Sequence, residues 1–288
     1  MLMKKCEKFI IIANELKDKG LKQSEMLADY IRSKGKSVSI FSVRDYNEEA
    51  GIDDDSFESG DMVIVMGGDG TMLRVSHIIE NHDIPMIGVN LGTVGFLTEV
   101  NVADVKTMVD RMIEGDYRIE ERRKLKGTIL RDGEVIHDNI QALNDAVLGR
   151  ESMLKLIGFK IYLNGEFFDE CEADGVIIAT PTGSTGYNLS AGGPIVNPGA
   201  SLLVMTPISP YSLSMRSVIF GENDEISLEL VDKRHNGQNK ALISFDGYMN
   251  VTMNIGDIAK VRVSDKSLKL VRLDNASVYE ILRRKLGG

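Results

Sequence analysis

Asp61-Met-Val-Ile-Val-Met-Gly-Gly-Asp-Gly-Thr-Met-Leu-Arg74 is the stretch whose reading decides the fold of this chain. Met62 to Met66 is an apolar run with β-branched residues, the composition of a strand buried on both faces. It stops at Gly67-Gly68-Asp69-Gly70-Thr71, and from Thr71 to Asn81 the residues Leu73, Ile78 and Ile79 fall loosely at helical spacing. Strand, glycine turn and helix start together make a phosphate site. Glycines let the backbone approach an anion, and the helix dipole favours negative charge there. Asp69 is the odd member, because a carboxylate in such a loop costs electrostatic energy unless it does chemistry or faces a metal ion. The loop lacks the Gly-Lys-Ser/Thr ending of a Walker A loop, and Leu73 stands where a dinucleotide fingerprint needs its third glycine. The plain alternative is a Gly-Asp turn that merely ends a strand.

Working outward, the same alternation continues on both sides. Lys8 to Ala13 reads as a buried strand, and Leu16 to Lys34 as an amphipathic helix with Gly35 at its stop. Ser37 to Val43 alternates as a second strand, and Asn47 to Gly60 reads as an acidic surface loop whose Asp53-Asp54-Asp55 run is solvated. Pro85 to Val89 is another strand, Asn90 to Leu97 a glycine-punctuated loop, and Val102 to Gly115 a helix. Phe96 in that loop reads as packing or as pocket lining. This order predicts a parallel, doubly wound sheet with ligands at the carboxyl ends of its strands.

The pattern changes at the charged run Glu120-Glu-Arg-Arg-Lys124. Beyond it come short alternating strands between turns: Lys126 to Leu130 before Asp132-Gly133, Phe159 to Leu163 before Asn164-Gly165, Ile226 to Val231 before His235-Asn236-Gly237. The expected organisation is an α/β domain of residues 1–122 plus 263–288, and a mostly β domain of residues 123–262. The last helix, Ala276 to Lys285, carries Val278, Ile281 and Leu282 at helical spacing and is expected to return to the first domain.

Composition narrows the function. A formal net charge of −9 argues against a nucleic-acid binder, which needs a basic excess to neutralise phosphates. Cys6 and Cys171 are too few for a disulfide framework, so a reducing cytoplasm is expected. His77, His82, His137 and His235 make no pair at metal-ligand spacing, so no zinc or other protein-held metal is expected. Lys4, Lys5 and Lys8 precede an apolar run of about five residues, shorter than a signal peptide's core. No run approaches the ~20 apolar residues of a membrane span, and a soluble protein without membrane partners is expected.

Two motifs in the second half carry chemistry. Ala142-Leu-Asn-Asp-Ala-Val147 sets Asn144 and Asp145 in an apolar context, either as a turn or bulge or as a pair that reads a ribose diol and a base edge. Asp174-Gly-Val-Ile-Ile-Ala-Thr-Pro-Thr-Gly-Ser-Thr-Gly-Tyr-Asn-Leu-Ser-Ala-Gly-Gly-Pro194 is a buried strand, Val176 to Ala179, feeding a loop of hydroxyls and glycines. Thr180, Thr182, Ser184 and Thr185 offer hydroxyls, and Tyr187 offers a flat ring for stacking. Pro181, Tyr187, Pro194 and the strand leading in argue against a flexible linker.

Gly67 to Thr71 resembles the loop shared by NAD kinases, diacylglycerol and sphingosine kinases, and 6-phosphofructokinases. Asp174 to Pro194 resembles the segment diagnostic of NAD kinases, which the lipid and sugar kinases lack. Thr206 to Ser217 and Ser244-Phe-Asp-Gly247 are also similar to segments of that family, so the likeness spans most of the chain. It implies an N-terminal α/β domain completed by a C-terminal helix, a β-sandwich-like second domain, and a homodimer or homotetramer. It implies transfer of the γ-phosphoryl of ATP, accompanied by Mg²⁺, to the 2′-hydroxyl of the adenosine ribose of NAD. Asp69 is the implied catalytic residue, orienting that hydroxyl and accepting its proton late, since a carboxylate is a weak base for an alcohol. Gly67, Gly68, Gly70 and Thr71 are the implied contacts to the ATP phosphates. The NAD contacts implied are Asp69, Gly70, Arg74, Asn144, Asp145, Lys155, Asp174, Thr182, Thr185, Gly186, Tyr187, Asn188, Ser190 and Asp246. Glu172 departs from the family, which often has a basic residue two positions before Asp174; Arg74 or Lys155 is the candidate substitute. A related lipid or sugar kinase and a non-catalytic nucleotide sensor are the alternatives; Asp69 and the Asp174 to Pro194 segment count against them.

Overall fold

The computed structural model describes residues 3–44, 52, 55–92, 95–151, 155–212, 214–233, 240–273 and 283. The chain divides into two compact units, Met1–Glu121 with Leu268–Gly288, and Arg122–Ser267.

In the first unit, β1 (Lys8–Asn14) is followed by α1 (Lys22–Ser33), β2 (Ser37–Val43), the one-turn α2 (Asp55–Glu58), β3 (Met62–Gly67), α3 (Asp69–Ile78), β4 (Met86–Asn90), the short β5 (Val100–Asn101) and α4 (Val105–Glu114). The strands pair in parallel in the order β2-β1-β3-β4. All of β3 is buried, as its apolar run demands. Met62, Ile64 and Met66 join a core with Leu27, Ala28 and Ile31 of α1 and with Met108, Val109 and Met112 of α4. On α3, Met72 packs against Gly88 of β4, where an added Cβ would lie 2.7 Å from the Met72 sulfur. A sheet so covered leaves its strand ends as the natural place for a ligand.

The first helix starts later than its apolar spacing suggests. Asp18 accepts the N–H groups of Gln23 and Ser24, both at 2.9 Å, so the chain turns through Gly20 and Leu21, each at positive φ, before α1 begins. Leu16 is left 64% exposed in that turn rather than on the helix face. The Asp53-Asp54 pair, the His235-Asn236-Gly237 turn and the helix expected over Ala276 to Lys285, Arg283 apart, lie outside the described residues.

The second unit is antiparallel. β6 (Arg118–Arg131) leads into it, followed by β7 (Glu134–Ala142), β8 (Asp145–Arg150), β9 (Ile157–Leu163), β10 (Glu166–Ala173), β11 (Gly175–Ala179), the one-turn α5 (Tyr187–Ser190), β12 (Leu202–Ile208), β13 (Val218–Gly221), β14 (Glu225–Val231), β15 (Ala241–Phe245), β16 (Met249–Met253) and β17 (Ile258–Arg272). One sheet runs β13-β12-β11-β8-β15-β16; in the other, β10-β9-β14-β17 is joined by the β6–β7 hairpin. Side chains from both sheets meet in a single core that includes Phe159, Ile161, Ile178, Met205 and Phe245. The Asp132-Gly133 and Asn164-Gly165 hairpin turns have positive φ at both residues, the backbone that tight hairpins require. The fold is therefore an α/β domain followed by a β-rich domain.

Candidate functional site

On the first unit, the glycine turn joins β3 directly to α3. Gly67 cannot carry a side chain, because a Cβ would overlap the Thr71 side chain that folds back over the turn. Thr71 is buried and accepts a hydrogen bond from Asn14 Nδ2 at 3.1 Å, which ties the end of β1 to the turn. Asp69 is the first residue of α3. Its two carboxylate oxygens accept the backbone N–H groups of Phe96 (2.7 Å) and Leu97 (3.0 Å). The carboxylate thus clips the loop after β4 onto the glycine turn, and a Cβ on Gly95 would run into it. Each oxygen keeps a further lone pair for a hydroxyl. Gly70 belongs to the opening turn of α3, at the positive end of its dipole. Arg74, one turn further on, is buried, and Phe96 is half-buried.

On the second unit, Asn144 and Asp145 form the elbow between β7 and β8. Three consecutive N–H groups, of Leu143, Asn144 and Asp145, donate to the Asp246 carboxylate at 2.7, 2.7 and 3.1 Å. Asp246 sits at a φ of 52° in the turn between β15 and β16, and its own N–H returns a 3.0 Å bond to the Asp145 carbonyl. Thr180 holds the elbow from the other side. Its hydroxyl donates to the Leu143 carbonyl at 2.6 Å, and its N–H to the Asn144 carbonyl at 2.8 Å. Burial first, and then the neighbouring Asp246 charge, push the Asp145 carboxyl up to about 7. Asp174 lies at the entrance to β11 and pairs with Arg150 at 3.0 Å.

The loop after β11 is densely bonded to itself. Asn188 is fully buried; its amide donates to the Ser184 (3.2 Å) and Pro194 (3.0 Å) carbonyls and accepts the Thr206 hydroxyl at 2.7 Å. The Ser184 hydroxyl donates to the Pro181 carbonyl and accepts the Val196 N–H. Thr182 is buried with Arg122 3.5 Å from its hydroxyl, and Thr185 donates to the Thr182 carbonyl at 3.2 Å. What this frame presents outward is Tyr187, 48% exposed at the first position of α5, with exposed Ser190 and the half-buried Thr185 and Gly186 around it. Lys155 is exposed, and Glu172 is half-buried on β10.

The residues expected from the sequence thus fall into two kinds. Asp246 and Asn188 spend their side-chain groups on backbone and loop, whereas Tyr187 and Ser190 are open to a ligand. Asn14, and the bracing of the elbow by Thr180, which the sequence offers only as a loop hydroxyl, went unnoticed. Their role depends on which strands become neighbours, and an Asn or Thr at a strand end carries no such signal by itself. Among the described residues, no group of three or more His, Cys, Asp or Glu is arranged to hold a metal ion, and no helix is long and apolar enough to cross a membrane.

With the geometry in hand, known proteins supply a frame. Residues 2–117 match the model of the ATP-NAD kinase N-terminal domain, and residues 143–273 that of the ATP-NAD kinase C-terminal domain. The chain is 36% identical over 286 residues to the NAD kinase of Lachnoclostridium phytofermentans, covering 98% of this chain and 99% of that protein. It is 37% identical over 285 residues to the NAD kinase of Agathobacter rectalis, covering 97% and 98%. Among solved structures, yeast NADH kinase complexed with NADH superposes with a TM-score of 0.87 at 24% identity, covering 98% of this chain and 88% of that one. An Archaeoglobus fulgidus NAD kinase in complex with ATP gives 0.77 at 22%, covering 97% and 98%. These two structural likenesses bear on the fold.

Proposed function

The chain belongs to the ATP-NAD kinase family, and on that premise we propose how its residues divide the work of making NADP. The reaction moves the γ-phosphoryl group of ATP to the 2′-hydroxyl of the adenosine ribose of NAD. The O2′–P bond forms, the bond from the γ-phosphorus to the bridging oxygen of ADP breaks, and the hydroxyl proton leaves. Asp69 orients the hydroxyl and takes that proton late, when bond breaking to ADP is advanced; a loose transition state permits this because positioning and charge stabilisation dominate. The observation that carries the reading is a carboxylate fixed in direction by the Phe96 and Leu97 N–H groups at the carboxyl edge of a parallel sheet.

Gly67, Gly68, Gly70 and Thr71 take the donor phosphates with backbone N–H groups and the helix dipole. Mg²⁺ would travel with ATP, held chiefly by phosphate oxygens and water, and would neutralise phosphate charge. Tyr187 stacks on a ring of NAD, with Gly186, Thr185 and Ser190 beside it. Asn144 and Asp145 read a ribose or base edge from a backbone held by Asp246 and Thr180. Asp174, already paired with Arg150, contributes an acceptor at the rim. The basic contact missing at Glu172 is assigned to Arg74 or Lys155. Location in the cytoplasm and assembly as a homodimer or homotetramer complete the reading.

The test is formation of NADP by purified protein given NAD, ATP and Mg²⁺. Product that requires both ATP and NAD supports the reading. Intact NAD after prolonged incubation with each of several phosphate donors sinks it and favours the nucleotide sensor.

A further inference from the structure

β1 and β3 are parallel neighbours, with Ala13 opposite Met66. The chain leaves β1 for β2 on one side and β3 for β4 on the other, so the carboxyl ends of β1 and β3 frame the switch point of the sheet. At the end of β1, Asn14 bonds Thr71 with its Nδ2, while its Oδ1 accepts the N–H groups of Leu16 and Lys17 at 3.1 and 3.2 Å. The Asn14 carbonyl also accepts the N–H of Lys17 at 3.0 Å. This tight turn sends the Lys17 side chain back over the glycine loop. Its ammonium lies 2.7 Å from where a Cβ of Gly68 would stand, so the bare glycine leaves room for it above the turn.

The acids flanking Lys17 are engaged elsewhere. Glu15 makes a two-pronged pair with Arg44 at 2.6 and 2.9 Å. Asp18 caps α1 through the Gln23 and Ser24 N–H groups and the Ser24 hydroxyl. Asp69 is engaged by Phe96 and Leu97. Among the described residues the Lys17 ammonium makes no ion pair, although it stands beside a loop suited to anions.

We propose that Lys17 is a phosphate-binding residue of the donor site, its ammonium holding a terminal phosphate of ATP against the Gly67–Thr71 turn. A loop without a Walker lysine thus receives its cation from the adjacent strand. A compact, exposed ammonium on a flexible stem suits a triphosphate, whose oxygens shift as the γ-phosphoryl group leaves. The inference rests on the kinase reading above.

The experiment compares wild type with Lys17→Ala, Lys17→Gln and Lys17→Arg in NADP formation. Because Lys17 is exposed, all are expected to fold with unchanged thermal midpoints. Lys17→Ala and Lys17→Gln should raise the KM for ATP about tenfold, as loss of a charge-assisted contact does. Lys17→Arg should recover most of that, and the KM for NAD should stay within about twofold. The salt dependence of kcat/KM for ATP should also become shallower in Lys17→Ala, a change that a merely structural residue would not cause. Active variants with an unaltered KM for ATP overturn the role of Lys17 and leave the kinase reading standing. Should wild type make no NADP, the kinase reading fails, and titration with Mg-ATP then decides about Lys17: equal affinity of wild type and Lys17→Ala overturns it.

Discussion

The glycine turn of the first unit and the Thr180–Pro194 loop of the second both follow a buried strand and both are rich in small residues, yet they are built in opposite ways. The glycine turn is short and is held partly from outside: Asn14 and Lys17 reach in from the end of β1, the Phe96–Leu97 backbone bonds to Asp69, and its own Thr71 folds back over it. The longer loop bonds mainly to itself, through Asn188, Ser184 and Thr185, and leaves Tyr187 facing outward. A site for phosphoryl transfer needs charge and direction at one point. A site for a large dinucleotide needs an extended surface that does not move. The contrast says that loss of single groups should stop chemistry in the first region, while in the second it should either unfold the frame or weaken binding.

The largest effect is expected from Asp69→Asn, which keeps the shape and removes the proton acceptor. Turnover should fall on the order of 10²-fold or more with NAD still bound; near-normal turnover would sink its catalytic role. Asp246→Ala comes next and should act on folding. It strips the acceptor from three N–H groups at the Asn144–Asp145 elbow, which should cost on the order of 3 kcal/mol in denaturant unfolding. An unchanged unfolding midpoint would break the claim that Asp246 is a bracket. Tyr187→Ala should leave stability alone and weaken NAD binding by roughly tenfold, the loss of one stacking contact. An unaltered NAD dissociation constant would refute the contact.

A further effect is one of pH. The Asp145 carboxyl is up at about 7 in the folded chain against about 3.9 when unfolded. Between those values the folded state holds a proton that the unfolded state has released, so this group makes stability fall as pH rises from about 4 to about 7. Asp145→Asn cannot ionise and lacks that contribution. Its thermal midpoint relative to wild type should climb across the window and level off above it; a constant difference from pH 4 to 8 would mean that Asp145 is not held in its neutral form.

Where local composition decides the structure, the sequence is readable. Met62 to Met66 is apolar enough to be only a buried strand, and the β3–turn–α3 unit follows from it. Paired positive-φ turns at Asp132-Gly133 and Asn164-Gly165 announce the hairpins. Where a role depends on register between distant strands, it is not. Asn14 and Lys17 matter because β1 lies beside β3, and that pairing is invisible in residues 14–17. Asp18 delays α1 by a capping interaction that competes with an otherwise sound apolar spacing. Asp246 and Asn188 stand in segments that resemble nucleotide contacts, but a carboxylate and an amide recognise backbone as readily as ligand, and only the folded geometry separates the two uses.

The difference between the two regions is tested most directly by combining Asp69→Asn with Tyr187→Ala and measuring kcat and the NAD dissociation constant for wild type, both single variants and the double variant. Separate roles predict that the double variant turns over like Asp69→Asn and binds NAD like Tyr187→Ala, with no coupling beyond about 0.5 kcal/mol. An NAD dissociation constant raised as far by Asp69→Asn alone as by Tyr187→Ala, or a kcat lost equally in both, would contradict the division of labour.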